Sequence, residues 1–211
     1  LNLLGREHSM FGMDFIFDEI PDVHDPFDYD AFQAYPGKAE AVVTNLNTGG
    51  ADYLEIPRQD RESLVLQATC AMPLMFPIYR LGGKPYLDGG AAETVPYPRA
   101  FEMGCDRAIV ILTKPRGFVR KQEKLLPVIE RRYREYPNFC QTMRERAERD
   151  NRAREELFRL EKEGKVLVLA PEDLRGVSRI ERDVEKLRLL WADGYQQGME
   201  RMEEIRSFMG R

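Results

Sequence analysis

Alternating apolar and polar positions predict two short β-hairpins in the first half of the chain. Residues 41–44 form a β-branched run that ends in a Gly-rich turn, and residues 53–56 alternate up to Pro57. We therefore expect these two segments to pair. Residues 77–81 and 84–88 flank a Gly-Gly pair, which is a strong signal for a second hairpin.

Helical periodicity and continuous apolar runs predict the remaining elements. Residues 61–71 have helical composition up to Pro73, and residues 97–103 form a short helix closed by Gly104. Residues 107–113 and 165–171 are apolar on both faces, as in strands that lie inside a sheet covered by helices. Each follows a helix and a glycine, which is the order that parallel strands with crossover helices produce.

The last third of the chain is predicted to be helix-rich. Residues 138–163 interleave Arg and Glu at helical spacing. Residues 182–208 place an apolar stripe on one side, typical of an amphipathic helix, although Gly194 and Gly198 weaken it. The predicted fold class is α/β, a mainly parallel sheet sandwiched by helices, with a helix-rich C-terminal region.

Charge divides the chain in two. Residues 1–113 carry a net charge of −9, whereas residues 114–211 carry +5. The change falls in the loop Lys114-Pro115-Arg116-Gly117. We expect an α/β core in residues 1–118 and a helical extension with one strand in residues 119–211. The asymmetry permits a transient contact of the second half with a membrane surface.

The chemically versatile residues are few. Three cysteines form no C-x-x-C pair, and only two histidines are present among 211 residues. A disulfide framework and a zinc site are therefore not expected, and the cysteine usage favours a reducing, cytoplasmic compartment. We expect neither a metal nor a cofactor. The acidic segment 22–30 lacks the spacing of a calcium loop and is expected to be a solvated turn.

Asp88 is the leading candidate for a functional side chain. It ends a predicted strand and is followed by Gly89 and Gly90. In α/β proteins such strand ends hold ligands and catalytic groups, although Asp-Gly is also ordinary turn chemistry. The residues alone do not decide between a functional role for Asp88 and an ordinary turn.

A family resemblance involves this same region. Residues 68–77 (Ala-Thr-Cys-Ala-Met-Pro-Leu-Met-Phe-Pro) and residues 83–90 (Gly-Lys-Pro-Tyr-Leu-Asp-Gly-Gly) resemble the patatin-like phospholipases. Residues 44–49 resemble the strand and turn that precede this region in the family. Residues 163–195 resemble the C-terminal extension of a bacterial subgroup. The resemblance covers most of the chain.

The resemblance implies a lipid acyl hydrolase with a Ser–Asp dyad. Asp88 matches the dyad Asp, and Gly89 and Gly90 match the motif turn. The implied substrate is a lipid or another acyl ester, with no cofactor and no nucleic-acid partner. In such a mechanism a serine attacks the ester carbonyl while backbone N–H groups stabilise the oxyanion.

The chain departs from this family pattern at the nucleophile. Its four serines, Ser9, Ser63, Ser178 and Ser207, do not stand in a G-x-S-x-G elbow, and the Gly-rich oxyanion loop is missing. We expect both to lie in a segment that precedes Leu1 in the intact protein. The alternative is a non-catalytic acyl-binding or regulatory protein that keeps the fold. Residues 91–96 also lack the Asn that the family usually has before the Pro.

The weaker candidates are assigned to structure rather than to chemistry. Cys70 is expected to be a small core residue, and His8 and His24 to be surface or capping residues. The Arg-rich segments 131–134 and 144–154 could contact phosphate, either in lipid headgroups or in RNA. Interleaved Glu residues favour a solvated helix instead. The apolar segment 10–17 is expected to line a core or an acyl channel.

Overall fold

A computed structural model describes residues 12–58, 63–178 and 180–210. The chain divides into two compact units. Unit 1 comprises Leu1–Thr94 and Lys121–Arg149, and unit 2 comprises Val95–Arg120 and Asp150–Arg211. The predictions for His8, Ser9 and the first two residues of the segment 10–17 lie outside the described residues.

Unit 1 is built around one antiparallel sheet. After a π-helical segment at Phe15–His24, its elements are α1 (Tyr29–Ala34), β1 (Glu40–Asn45), β2 (Ala51–Glu55), α2 (Leu64–Thr69), β3 (Tyr79–Leu81), β4 (Lys84–Asp88) and α4 (Leu126–Arg132). The strand order is β2-β1-β4-β3, with every neighbouring pair antiparallel. The start of the helix predicted over 61–71 lies outside the described residues, and the described part begins at Leu64.

Unit 2 holds the described parallel strands. Its elements are α3 (Tyr97–Glu102), β5 (Ala108–Ile111), β6 (Val166–Leu169), α6 (Val184–Glu200) and α7 (Met202–Phe208). Strand β5 pairs with β6 in parallel. The long helix α5 (Pro137–Lys162) contributes its first half to unit 1 and its second half to unit 2.

The expected hairpins are both present. β1 pairs with β2, and β3 pairs with β4 across Gly82 and Gly83, which both have positive φ. The α/β class also holds, but the expected mainly parallel sheet does not: three of the four described ladders are antiparallel. The physical reason is that the two hairpins are antiparallel by construction and join each other through an antiparallel β1–β4 ladder.

Each unit has its own apolar core. In unit 1 the largest buried cluster includes Leu46, Leu87, Phe139 and Met143, so that the sheet and the first turns of α5 share one core. In unit 2 the buried residues come from β5, β6, α3 and the second half of α5. The sequence predicted that β5 would be buried on both faces. This prediction is wrong at the end of the strand, where Ile111 is 75% exposed.

The predicted helix over 182–208 is divided. It breaks at Arg201 into α6 and α7 rather than at Gly194 or Gly198. Its apolar stripe is largely exposed: Trp191 is 70% and Tyr195 61% accessible, and their rings stack 5.5 Å apart. In the part of the chain that the structure describes, no helix is both long enough and apolar enough to cross a bilayer.

Candidate active site around Asp88

Asp88 lies where β4 passes into a 3-10 turn at Gly89–Ala91. Its carboxylate Oδ1 accepts a hydrogen bond of 2.7 Å from the Gly90 N–H, and its own N–H donates to the Ala71 carbonyl at 2.9 Å. The side chain is partly buried. These bonds fix the carboxylate at the strand end that the sequence predicted, beside both motif glycines.

The buried hydroxyl of Thr44 holds the same turn from strand β1. Its Oγ1 donates to the Asp88 carbonyl at 2.7 Å and accepts from the Ala92 N–H at 3.0 Å. Thr44 is fully buried. One side chain thus joins Asp88 to Ala92, the two residues that flank the 3-10 turn. Sequence reasoning placed Thr44 in a strand but gave no signal for this contact, which is made across 44 residues of chain.

The backbone of Gly89 packs directly against β1. A Cβ placed on Gly89 would lie 2.1 Å from the Val42 carbonyl oxygen, a separation that real Cβ atoms do not reach. Gly90 is less restricted, with its nearest contact at 3.1 Å to Asp88 Oδ1. The first glycine of the motif is therefore required by close backbone approach.

Two arginines of α5 approach the turn. Arg149 donates through Nη2 to the Ala91 carbonyl at 2.7 Å and through Nη1 to the Thr142 carbonyl at 3.3 Å. Arg146 Nη2 lies 3.6 Å from the position that a Cβ would take at Gly90. The sequence assigned this helix to a solvated Arg/Glu pattern, so it missed both contacts.

Cys70 lies close enough to Asp88 for the two groups to interact electrostatically. Burial raises the pKa of the Cys70 thiol, and the Asp88 carboxylate raises it further. The Cys70 residue as a whole is nevertheless exposed to solvent, so the prediction of a small core residue is wrong. The reason is its position at the C-terminal end of α2, after the buried Ala68. A raised pKa favours the thiol and argues against Cys70 as an activated nucleophile.

A second polar group lies on the same sheet. Asp52 accepts hydrogen bonds from the Tyr86 hydroxyl at 2.8 Å and from Asn45 Nδ2 at 3.0 Å. Burial, with the Asp52 hydrogen bond and charge, raises the pKa of Tyr86 to about 12. Asp52 and Asp88 both pair with Val43, on opposite sides of β1. Asp52 was not predicted from the sequence.

Three of the four serines lie among the described residues. Ser63 precedes α2 with a left-handed φ of 53°, and Ser178 donates to the Ile180 carbonyl in unit 2 at 2.9 Å. Ser207 lies in α7. In the described ranges, no group of three or more His, Cys, Asp or Glu residues is arranged to hold a metal ion.

The fold and this turn define an α/β protein whose antiparallel sheet presents an Asp-Gly-Gly turn at a strand end. Residues 2–101 match the family described as Patatin-like phospholipase, and residues 136–210 match a domain of unknown function, DUF6363. This match over the N-terminal part of the chain agrees with the resemblance found in the sequence. No curated protein sequence matches the chain.

Proposed function

We propose that the protein hydrolyses carboxylic esters of lipids, with Asp88 as the aspartate of a Ser–Asp dyad. The observation that carries the proposal is the position of Asp88 in the Asp-Gly-Gly turn of a segment that matches the patatin-like phospholipase family. The proposal places the serine nucleophile outside the 211 residues, in a segment before Leu1. Cytoplasmic localisation remains a prediction from the cysteine usage.

The proposed chemistry has two steps. In the first, the serine oxygen attacks the ester carbonyl, its proton passes to the Asp88 carboxylate, and the alcohol leaves with that proton. In the second, water gives a proton to Asp88 while its oxygen attacks the acyl-enzyme carbonyl. The bond to the serine oxygen then breaks, Asp88 returns the proton to that oxygen, and the carboxylic acid leaves. The hydrogen bond from Gly90 to Oδ1 supports the role of Asp88, because it holds the carboxylate in one orientation.

Asp88→Asn tests the assignment in a polypeptide that includes the upstream G-x-S-x-G segment. An Asn at position 88 keeps an oxygen that accepts from Gly90 N–H, so the turn is retained while the base is lost. We expect turnover of a p-nitrophenyl ester to fall by roughly 10³–10⁴-fold. Labelling by a fluorophosphonate probe is expected to fall as well.

Asp52→Asn is the matched control, since it removes another carboxylate from the same sheet. We expect that variant to keep activity within about tenfold of the parent, because Asp52 contacts Tyr86 and Asn45 rather than the motif turn. Full activity in Asp88→Asn would overturn the dyad assignment. The 211-residue chain alone is expected to show no esterase turnover, and turnover by it would mean that the nucleophile is another residue.

A non-catalytic acyl-binding or regulatory role is the second candidate. It is favoured by one observation, namely that none of the four serines stands in a G-x-S-x-G elbow. The coding sequence before Leu1 distinguishes the two candidates. A glycine-rich loop and a G-x-S-x-G there support the hydrolase, whereas a Met codon directly before Leu1 supports the non-catalytic role.

A further inference from the structure

We propose that a cationic surface on and around α4 docks the protein onto a bilayer that contains anionic phospholipids. This surface, called here the α4 patch, is made of exposed residues of unit 1 that combine positive charge with two apolar side chains: Lys121, Lys124, Leu125, Val128, Arg131, Arg132 and Arg134. The proposal does not rest on the hydrolase chemistry, because its readout is binding.

The positive charge of the α4 patch is not cancelled by the neighbouring acids. Glu130 forms an ion pair with Arg144, and Glu123 lies 3.9 Å from Arg146 Nη1. Both arginines belong to α5, so these two carboxylates compensate α5 rather than the patch. Glu135 is exposed next to Arg134, and this one carboxylate is outnumbered by the five patch cations. The sequence predicted a solvated helix whose charges largely cancel, because it could not show that Glu123 and Glu130 pair with arginines of α5.

The shape and polarity of the patch suit lipid headgroups. An open hollow of ≈ 390 Å³ is lined by Val128, Arg131, Arg132, Arg134 and Glu135, so three arginine side chains line one concavity. Guanidinium groups bind phosphate through paired N–H donors. A phospholipid phosphate can therefore enter the hollow while neighbouring headgroups meet the surrounding lysines.

The apolar members of the patch favour a bilayer over other polyanions. Leu125 is 53% and Val128 51% exposed, and they lie one helical turn apart at the start of α4. Such side chains gain by entering the headgroup–acyl boundary. Single-stranded RNA is bound largely by aromatic stacking, and the aromatic residue of this segment, Tyr133, is buried against Phe139. Charge and apolar exposure together select an anionic membrane surface.

Vesicle cosedimentation with the full 211-residue chain tests the proposal. We expect binding to vesicles of 70% phosphatidylcholine and 30% phosphatidylglycerol, and much weaker binding to phosphatidylcholine alone. Because each cation near an anionic surface contributes about fivefold in affinity, the triple variant Arg131→Gln, Arg132→Gln, Arg134→Gln should bind roughly a hundredfold more weakly. Raising the salt from 0.1 to 0.5 M should weaken wild-type binding in the same direction.

Two matched variants keep the test specific. The triple variant Arg182→Gln, Lys186→Gln, Arg188→Gln removes the same charge from exposed positions of unit 2 and should bind like wild type. Replacing the three patch arginines by Lys should restore binding to within about fivefold, which a folding defect would not do.

Three results would overturn the proposal. The first is equal binding to neutral and anionic vesicles. The second is an equal loss of binding in the unit 2 control. The third is tighter binding of the chain to a single-stranded RNA oligonucleotide than to anionic vesicles, which would assign the patch to nucleic acid.

Discussion

Gly89→Ala should disrupt the Asp88 turn more than any neighbouring small substitution. The new Cβ would lie 2.1 Å from the Val42 carbonyl oxygen and 2.6 Å from the Val42 carbonyl carbon. Both atoms are backbone atoms of a central strand, so no side chain can rotate away. The turn or β1 must move by about 0.9 Å to bring the first distance from 2.1 to 3.0 Å. Overpacking a well-packed site costs about 1–3 kcal/mol and occasionally more, and we expect at least 3 kcal/mol here.

Gly90→Ala is the matched control at the next position. Its Cβ would lie 3.1 Å from Asp88 Oδ1 and 3.6 Å from Arg146 Nη2, distances that small side-chain movements can relieve. Gly90 is not among the glycines with positive φ, so Ala suits its backbone. Reduced freedom of the unfolded chain offsets part of any strain. We expect a change within about 1 kcal/mol in either direction.

Urea unfolding followed by circular dichroism measures both variants. With a slope of about 2 kcal/mol per molar urea, the expected loss in Gly89→Ala lowers the midpoint by roughly 1.5 M. The midpoint for Gly90→Ala should stay within about 0.5 M of wild type. Equal midpoints for wild type and Gly89→Ala would refute the close packing of the turn against β1, and with it the steric reason for the first motif glycine.

Three further predictions concern titrating groups. Asp88→Asn should lower the pKa of the Cys70 thiol, as measured by pH-dependent alkylation. Burial is the larger cause of the raised pKa, so the value should stay above the ordinary one. An unchanged pKa would show that the charge of Asp88 does not act on Cys70. Tyr86 has a pKa raised to about 12, so its ionisation in ultraviolet difference spectra should appear above the ordinary tyrosine range. As the pH rises from about 10 to 12, the free energy of unfolding should fall by roughly 3 kcal/mol in the wild type and by less in Asp52→Asn. The pKa of Glu161 is lowered chiefly by an arginine hydrogen bond, so its stabilisation is present above about pH 4.5 and is lost as the pH falls through the depressed value. Glu161→Gln should therefore flatten the acid limb of the unfolding free energy, and an unaltered limb would contradict this.

The local part of the fold could be predicted from the sequence. The Gly82–Gly83 pair and the turn after residue 45 define two hairpins, because turn chemistry acts within a few residues. Gly104 and Gly164 have positive φ and follow helices, as their positions indicated. These signals depend only on neighbours along the chain.

Pairing between distant segments could not be predicted in the same way. The β1–β4 ladder joins residues 43–45 to residues 86–88, and no local pattern specifies its direction. The apolar stripe of α6 has the same limitation. Its spacing indicates a helix face that prefers burial but does not specify which element covers that face. In the structure Trp191 and Tyr195 on this face are mostly exposed.

At the candidate site the sequence predicted Asp88 but not the contacts that hold its turn in place. Asp88 was identified from its turn residues and the family resemblance, whereas the contacts from Thr44 and Arg149 arise only when β1 and α5 meet the turn. These contacts are made to backbone atoms of residues 88, 91 and 92. The position of the turn therefore depends on its backbone more than on the charge of Asp88. For this reason a loss of activity in Asp88→Asn would report on chemistry, whereas a loss in Gly89→Ala would report on the scaffold.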